Sequence, residues 1–214
     1  MRAMTAGLPQ MLRTDAQDNR ERVLAAARAL FAERGVDVTM RDVARRAEVG
    51  PATLYRRFPT KQALLSEAFE EEVRFCSSIV DDGCTDPDPW RGFCSVVERI
   101  CTLNIGNQGF VDAFVSGSPG IDALAEHRAA LLRRLAELAG RAQAVGGLRG
   151  DFVVDDLVLV LLAGRGLASV PPAQREATAR RFAALVIEAF RASDDDVTLP
   201  RPPRLITRPV RAPR

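Results

Sequence analysis

Apolar residues recur at three- and four-residue steps along most of the chain, which is the spacing of a helix with one buried face. The pattern predicts α-helices at about 19–34, 40–47, 51–58, 60–80, 90–105, 107–116, 121–145, 152–170 and 172–191. No segment alternates apolar and polar residues as a half-buried strand would. The predicted fold class is therefore all-α.

The segment from Thr39 to Lys61 contains two short predicted helices separated by a tight turn. Thr39 precedes the apolar face of the first helix and is a suitable N-cap. Pro51 suits the first position of the second helix, because its missing N–H would have no partner there, and Pro59 ends that helix. Two helices of about two turns, joined by about three or four residues, predict a helix-turn-helix.

The second of these helices is predicted to enter the major groove of DNA. Its small first residues allow close approach to base edges, and Thr53 offers them a hydroxyl and a methyl group. Tyr55 can reach a phosphate, and Lys61 can bind one with the backbone N–H groups of the next helix. The predicted DNA-binding residues are Thr39, Arg41, Gly50, Pro51, Ala52, Thr53, Tyr55, Arg56, Arg57, Thr60 and Lys61.

This segment and the helix before it resemble the tetracycline-repressor (TetR) family of bacterial transcription regulators. The residues that carry the resemblance are Ala27, Leu30, Phe31, Glu33, Arg34, Gly35, Val38, Thr39, Arg41, Asp42, Val43, Ala44, Ala47, Val49, Thr53, Leu54, Tyr55, Arg57, Phe58, Lys61, Leu64 and Leu65. The resemblance implies a homodimeric repressor that a small-molecule effector releases from double-stranded operator DNA.

Two positions in the turn depart from the usual pattern of that family. Glu48 stands where Gly is usual, because the turn requires a positive φ, and Glu there costs about 1 kcal/mol. Gly50 stands where Ser is common, and Gly is a weaker N-cap.

The chain is predicted to contain a flexible arm at 1–18, a helix-turn-helix DNA-binding domain at 19–70, a helical ligand-binding and dimerisation domain at 71–192, and a disordered tail at 193–214. The arm is polar and contains Gly and Pro. The tail combines acidic residues, Pro and Arg and cannot bury a core. Residues 81–89, DDGCTDPDP, are predicted to form a loop because they are dense in turn residues.

Aromatic and apolar residues of the second domain form either an ordinary core or the wall of a ligand pocket. The family resemblance favours a pocket. The predicted ligand-binding residues are Phe75, Trp90, Phe93, Val97, Phe110, Phe114 and His127. The nearby residues that can supply polar groups are Asn104, Asn107, Gln108, Asp112 and Ser116.

The predicted helix at 152–170 is apolar nearly all round, so it must be covered on most sides. Only one predicted helix follows it, which favours an isologous contact between the last two helices of two copies. Such a homodimer also places two recognition helices about 34–36 Å apart, in successive major grooves. The predicted interface residues are Leu157, Val158, Leu161, Leu162, Ala179, Phe182, Ala183 and Val186.

Composition narrows the function classes. The net charge of +2 argues against a protein that coats DNA non-specifically. No apolar run is long enough to cross a membrane and no signal peptide is evident, so we expect a cytoplasmic protein whose four cysteines are free thiols. The chain has one histidine, His127, and no CxxC, HExxH or Gly-rich phosphate loop. No metal, cofactor or enzymatic activity is therefore predicted.

The sequence thus predicts a DNA-binding repressor released by a small molecule. Two alternatives remain. One is a regulator controlled by a protein partner or by thiol oxidation, and the other is an enzyme with an incidental helix-turn-helix.

Overall fold

The structure is a computed structural model that describes residues 8–106, 108–115, 122–193, 199–201 and 205. Every regular element in these ranges is helical, which confirms the all-α fold class. The α-helices are α1 (Leu8–Arg34), α2 (Met40–Arg46), α3 (Pro51–Arg57), α4 (Lys61–Ala68), α5 (Glu70–Thr85), α6 (Pro89–Gly106), α7 (Gln108–Val115), α8 (Asp122–Ala144), α9 (Val154–Gly164) and α10 (Pro172–Phe190). Short 3₁₀ helices follow α1 and α9, at Gly35–Asp37 and Arg165–Ser169. The chain divides into two compact units, Met1–Glu70 and Glu71–Arg214.

The core of the first unit is built by α1 and three short helices. As predicted, α1 buries Val23, Leu24, Ala27, Leu30 and Phe31. It packs on α2 and α4, and α2 packs on α3. Helices α2, α3 and α4 have seven or eight residues, fewer than the roughly 12–15 that an isolated helix needs in water. Burial against α1 and one another therefore holds them.

Helix α1 begins at Leu8, well before the predicted start at Asn19. Residues 8–18 of the predicted flexible arm are therefore helical, and the prediction is wrong there; residues 1–7 lie outside the described residues. The physical reason is local. Pro9 falls in the first turn, where its missing N–H costs no hydrogen bond, and residues 10–18 contain no further Gly or Pro.

The single helix predicted at 60–80 is in fact two helices, α4 and α5, separated at Phe69. Phe69 has φ −108° and ψ 12°, outside the helical range. Its ring is buried and lies 5.7 Å from the ring of Phe31. The Arg28 Nε–H donates to the Ala68 carbonyl at 2.7 Å and satisfies the end of α4. These tertiary contacts, which the helical period does not reveal, end α4.

The loop predicted at 81–89 is also wrong, because α5 continues to Thr85 and only residues 86–88 connect it to α6. The glycine that suggested a turn is a packing residue. A Cβ at Gly83 would lie 2.4 Å from Val96 Cγ2 and 2.9 Å from the Gly92 carbonyl oxygen. The neighbouring acids form ion pairs, Asp82 with Arg99 and Asp81 with Arg134.

The core of the second unit is centred on α6, which packs on α8, α9 and α10. Phe93 of α6 meets Phe152 and Phe190 in edge-to-face contacts, with ring centroids 5.2 and 6.3 Å away. The turn predicted at 146–151 is present. The Gln143 side-chain amide donates to the carbonyls of Arg149, Gly150 and Phe152 and holds that turn against α8.

The helix predicted at 152–170 is shorter than expected. At the start of this helix, Asp156 Oδ2 accepts a hydrogen bond from the backbone N–H of Val153, the N-cap residue, at 2.9 Å. It ends as an α-helix at Gly164 and continues as the 3₁₀ helix Arg165–Ser169.

Part of the predicted disordered tail contacts the second unit. The Leu205 N–H donates to Asp155 Oδ1 at 2.8 Å, so the prediction of disorder does not hold at that residue. Residues 194–198, 202–204 and 206–214 lie outside the described residues. Within the described chain, no helix combines the length and the apolar character needed to cross a membrane.

Candidate functional site

Helix α2 begins with a reciprocal cap between Thr39 and Asp42. The Asp42 N–H donates to Thr39 Oγ1 at 3.2 Å, and Asp42 Oδ2 accepts from the Thr39 N–H at 3.2 Å and from its hydroxyl at 2.6 Å. The hydrogen bond from the Thr39 side chain is the main reason that the pKa of Asp42 is lowered. The predicted N-cap is thereby confirmed, and the exposed start of α2 is fixed by its own side chains.

The turn between α2 and α3 has the backbone that was predicted for it. Glu48 has φ +56°, the left-handed conformation that favours Gly. The chain reverses there, and the Val49 N–H donates to the Ala44 carbonyl at 3.0 Å. Gly50 caps α3 through its backbone alone, with no side-chain hydrogen bond. This turn sets the direction in which α3 leaves α2.

Helix α3 packs on the core through one face and exposes the other face to solvent. Leu54 and Phe58 are each 1% exposed and fix the helix to the core. Tyr55, between them in the sequence, is 47% exposed and does not belong to the core. The predicted recognition residues of α3 all lie on the exposed side, namely Pro51, Ala52, Thr53, Tyr55, Arg56 and Arg57.

Helix α4 begins beside this surface. Thr60 Oγ1 accepts from the Ala63 N–H at 3.1 Å and caps the helix. Lys61, the first residue of α4, is half-buried. A capped helix start with an adjacent ammonium group is an arrangement that binds phosphate.

The basic side chains of the first unit fall into two groups. Arg45 pairs with Asp42, Arg46 with Glu33, and Arg20 with Glu67. By contrast, Arg41, Arg57 and Lys61 form no ion pair and donate no side-chain hydrogen bond to any residue that the structure describes. Arg56 makes only long contacts within α3, 3.4 Å to the Ala52 carbonyl and 3.5 Å to Thr53 Oγ1. Arg41, Arg57 and Lys61 all belong to the predicted DNA-binding set; Arg34, which was not predicted, also forms no ion pair or side-chain hydrogen bond with the described residues.

A groove of about 310 Å³ runs beside α3 and adds residues that sequence reasoning missed. Its walls include Asn19 and Arg20 of α1, together with Thr53, Arg56 and Arg57 of α3. The signal that could have found Asn19 and Arg20 was the polar and basic character of the predicted first helix before Val23, a helix from which no DNA-binding residue was predicted.

The structure does not bring the predicted ligand-binding residues together. Phe110 and Phe114 border a cavity. Phe93 and Val97 are fully buried core residues, with Trp90 packed against them. Phe75 is 49% exposed, with the Arg99 guanidinium 6.0 Å from its ring centroid, and His127 is exposed on α8. Five of the seven predicted residues therefore do not border this cavity, and period alone cannot distinguish a core face from a cavity wall.

The cavity that Phe110 and Phe114 border has a volume of about 40 Å³. Its lining residues are Cys76, Ile100, Leu103, Asn104, Phe110, Val111, Phe114, Leu131 and Leu161. Asn104 was among the polar residues predicted nearby. The side chains of Asn107, Gln108, Asp112 and Ser116, predicted with it, lie outside the described residues.

The four cysteines form no disulfide. Burial raises the pKa of the Cys76 and Cys101 thiols to about 12 and that of Cys94 to about 11. These thiols are therefore protonated at neutral pH. Since the thiolate is the reactive form, oxidation of these three side chains is disfavoured.

The predicted interface residues of the last two helices mostly face inward. Leu157, Val158, Ala179, Ala183 and Val186 are buried in the chain's own core, and Leu161 and Phe182 pack against that core. Leu162 is partly exposed. The buried five are unavailable to a second copy, so the prediction is corrected. The apolar face of α9 that the sequence assigned to a partner is covered instead by α6 and its neighbours.

Residues 23–68 match the family model described as bacterial regulatory proteins of the tetR family. A stretch of 61 residues is 43% identical to uncharacterized HTH-type transcriptional regulators of Mycobacterium tuberculosis and Mycobacterium bovis. That stretch covers 28% of this chain and spans only 29% of the length of those curated relatives.

Solved structures extend the likeness over most of the chain. A TetR transcriptional regulator from Streptomyces coelicolor is 30% identical, with 81% of this chain and 99% of that chain covered and a TM-score of 0.48. The ketosteroid transcriptional regulator KstR2 of Mycobacterium tuberculosis is 18% identical, with 81% and 95% covered and a TM-score of 0.59. The latter likeness is one of fold.

Proposed function

The chain belongs to the TetR family of bacterial regulatory proteins, as its sequence predicts, and we propose that it is a homodimeric transcriptional repressor. It binds double-stranded operator DNA through α3 and the helix starts beside it, and a small-molecule effector releases it. The observation that supports DNA binding is that some basic side chains of the first unit form ion pairs with acidic residues whereas others do not. Arg41, Arg57 and Lys61 are unpaired among the described residues, next to an exposed helix anchored by Leu54 and Phe58.

Unpaired cations are what phosphate binding requires, since an arginine already engaged by a carboxylate must break that pair first. In this arrangement Lys61 and Arg57 hold phosphates, and Thr53 and Arg56 reach base edges from α3. Helix α3 presents side chains of both kinds, whereas two of the three arginines of α2, Arg45 and Arg46, are held in ion pairs.

The test is selection of bound fragments from a random DNA library by the purified full-length protein, followed by affinity measurements on the selected site. We expect a pseudo-palindromic site, with half-sites about 10 base pairs apart or a multiple of that. Thr53→Ala should change the preferred sequence, whereas Lys61→Ala should weaken binding to all sequences about equally. Recovery of fragments with no shared sequence would contradict site-specific recognition.

For the dimer we propose the outward face of α9 and α10 rather than the inward set. Leu159 and Leu185 are 49% and 55% exposed. Ala163 lies one turn after Leu159 and Ala189 lies one turn after Leu185, and both alanines are exposed. Large apolar side chains flanked by small ones allow two helix pairs to approach closely, and the same face on a second copy completes an isologous contact.

Control by a small molecule is favoured over control by thiol oxidation. Three of the thiols are protonated at neutral pH because burial raises their pKa. The second unit, by contrast, contains an apolar cavity bordered by the five helices α5 to α9. A protein partner remains the alternative, and it would be recognised by loss of effect when the purified protein is studied alone.

A further inference from the structure

A buried oxygen atom in the cavity of the second unit lacks a hydrogen-bond partner. We propose that this cavity is the effector site and that its ligand is a neutral, mainly apolar molecule carrying one hydrogen-bond donor, a hydroxyl or N–H, which pairs with Asn104 Oδ1. The inference rests on the proposed function, because it presumes that a small molecule controls the protein, and it adds the chemical class of that molecule.

The orientation of the Asn104 side chain follows from its one hydrogen bond. Asn104 lies on α6 and is 6% exposed. Its Nδ2 donates to the Leu161 carbonyl of α9 at 2.9 Å. Because a carbonyl only accepts, the amide must present its nitrogen to α9, and Oδ1 is left over. Oδ1 is buried and has no hydrogen-bond partner among the described residues. A buried acceptor left unpaired is unfavourable, so any donor that reaches it stabilises the complex.

A water molecule is a poor occupant of this site. The cavity, at about 40 Å³, can hold one by volume. A buried water, however, needs two to four polar partners. Among the described lining residues, only Asn104 and Cys76 carry a polar side-chain atom, so a water would find the lowest number of side-chain partners in that range, and one of the two is a weakly hydrogen-bonding thiol. A donor attached to an apolar body suits the site better, because the rest of the ligand meets the apolar residues Ile100, Leu103, Phe110, Val111, Phe114 and Leu131.

The lining also sets the charge and size of the ligand. No charged side chain borders the cavity among the described residues, so a charged ligand would lose its hydration without an ion partner. Buried Arg128 is already committed, since its guanidinium donates to the Phe114 carbonyl at 2.9 Å. The volume is below the roughly 300 Å³ of a drug-sized pocket. The ligand must therefore be small or displace a wall residue, and Phe114 is the largest of the half-buried wall residues.

The same amide connects the cavity to the last two helices. Leu161, whose carbonyl accepts from Asn104 Nδ2, lies in the final turn of α9. A Cβ added at Gly164 would lie 3.3 Å from Asn104 Nδ2 and 3.5 Å from Phe182 Cε1 of α10. A ligand that moves the Asn104 side chain therefore also changes its hydrogen bond to the Leu161 carbonyl at the end of α9.

The test compares probes that differ only by a hydroxyl in place of a methyl group: phenol and toluene, 1-naphthol and 1-methylnaphthalene, cyclohexanol and methylcyclohexane. Binding to the full-length protein without DNA is measured by calorimetry. We expect each hydroxyl compound that fits to bind about tenfold more tightly than its methyl partner. Asn104→Leu should abolish or reverse that preference.

A second variant keeps the test valid should Asn104→Leu fold poorly. Phe114→Ala enlarges the cavity, leaves the backbone acceptor of Arg128 in place, and should strengthen 1-naphthol binding while keeping the hydroxyl preference. Equal binding of the paired probes, or no binding of any hydroxyl probe at millimolar concentration, would overturn the proposal.

Operator affinity measured separately distinguishes this proposal from the proposed function. Intact operator binding with no probe binding overturns the site and leaves DNA recognition standing. Hydroxyl-selective probe binding that leaves operator affinity unchanged supports the site and overturns its role in release.

Discussion

The two units of the chain build their candidate sites in opposite ways. In the first, nearly every side chain of the proposed DNA surface comes from the continuous segment Thr39–Lys61, and each local feature has a local cause: a cap at Thr39, a left-handed turn at Glu48, and a proline start at Pro51. In the second, the walls of one small cavity come from α5, α6, α7, α8 and α9. The first site therefore depends on local chemistry, and the second on packing between distant segments.

If the two sites are independent in this way, damage to one core should leave the other intact. Phe58→Ala should cost about 3–5 kcal/mol, because it removes a fully buried ring beneath α3. We expect operator binding to be lost, while sedimentation still reports a dimer and the second unit melts as before. Calorimetric melting with sedimentation of the same sample checks this.

Phe93→Ala is the matched variant, since Phe93 is equally buried but lies in the second core. It should dissociate the dimer and lower the melting temperature of the second unit. Dissociation of the dimer by Phe58→Ala as well would contradict the independence of the two units.

The next effect concerns the outward face of α9 and α10. Leu185→Arg should split the dimer and weaken operator binding more than tenfold, because an unpaired charge buried in an apolar contact costs about 3–5 kcal/mol. Sedimentation and fluorescence anisotropy measure both consequences on one sample.

Val145→Arg is its control, because Val145 is 60% exposed in the turn after α8 and is not one of the residues of the proposed contact. A dimer that survives Leu185→Arg would exclude this face as the interface.

A smaller effect should separate the free from the paired cations of the first unit. Lys61→Ala should lower operator affinity by about 1 kcal/mol per protomer and reduce the slope of log affinity against log salt by about 1.8, because each protomer of the dimer loses one phosphate contact. Arg45→Ala should change that slope less, since Arg45 is held by Asp42 at 2.5 Å. Equal slopes for the two variants would mean that the ion pair opens on DNA.

The same contrast explains what could be predicted from the sequence. The cap of α2, the turn at Glu48 and the buried residues of α3 all depend on residues close together in the sequence. The helix-turn-helix could therefore be predicted from spacing and resemblance. Phe69 and Gly83 misled because their roles lie in contacts with Phe31 and Val96, far along the chain. Leu157 and Ala183 misled for a related reason: an apolar face shows that a helix is covered, but not whether its own chain or a second copy covers it.

The smallest effect tests whether the turn at Glu48 is as local as proposed. Its φ of +56° costs a non-glycine residue about 1–2 kcal/mol, and glycine removes that cost while losing about 0.5–1 kcal/mol through greater freedom of the unfolded chain. Glu48→Gly should therefore raise the stability of the first unit by about 0.5–1 kcal/mol, which calorimetric melting reports as a rise of about 2–8 °C. Glu48→Ala removes the same carboxylate but keeps the strained backbone, so it separates strain from charge. If alanine stabilises as much as glycine, the gain comes from removing the charge, and the backbone of the turn is not the cause.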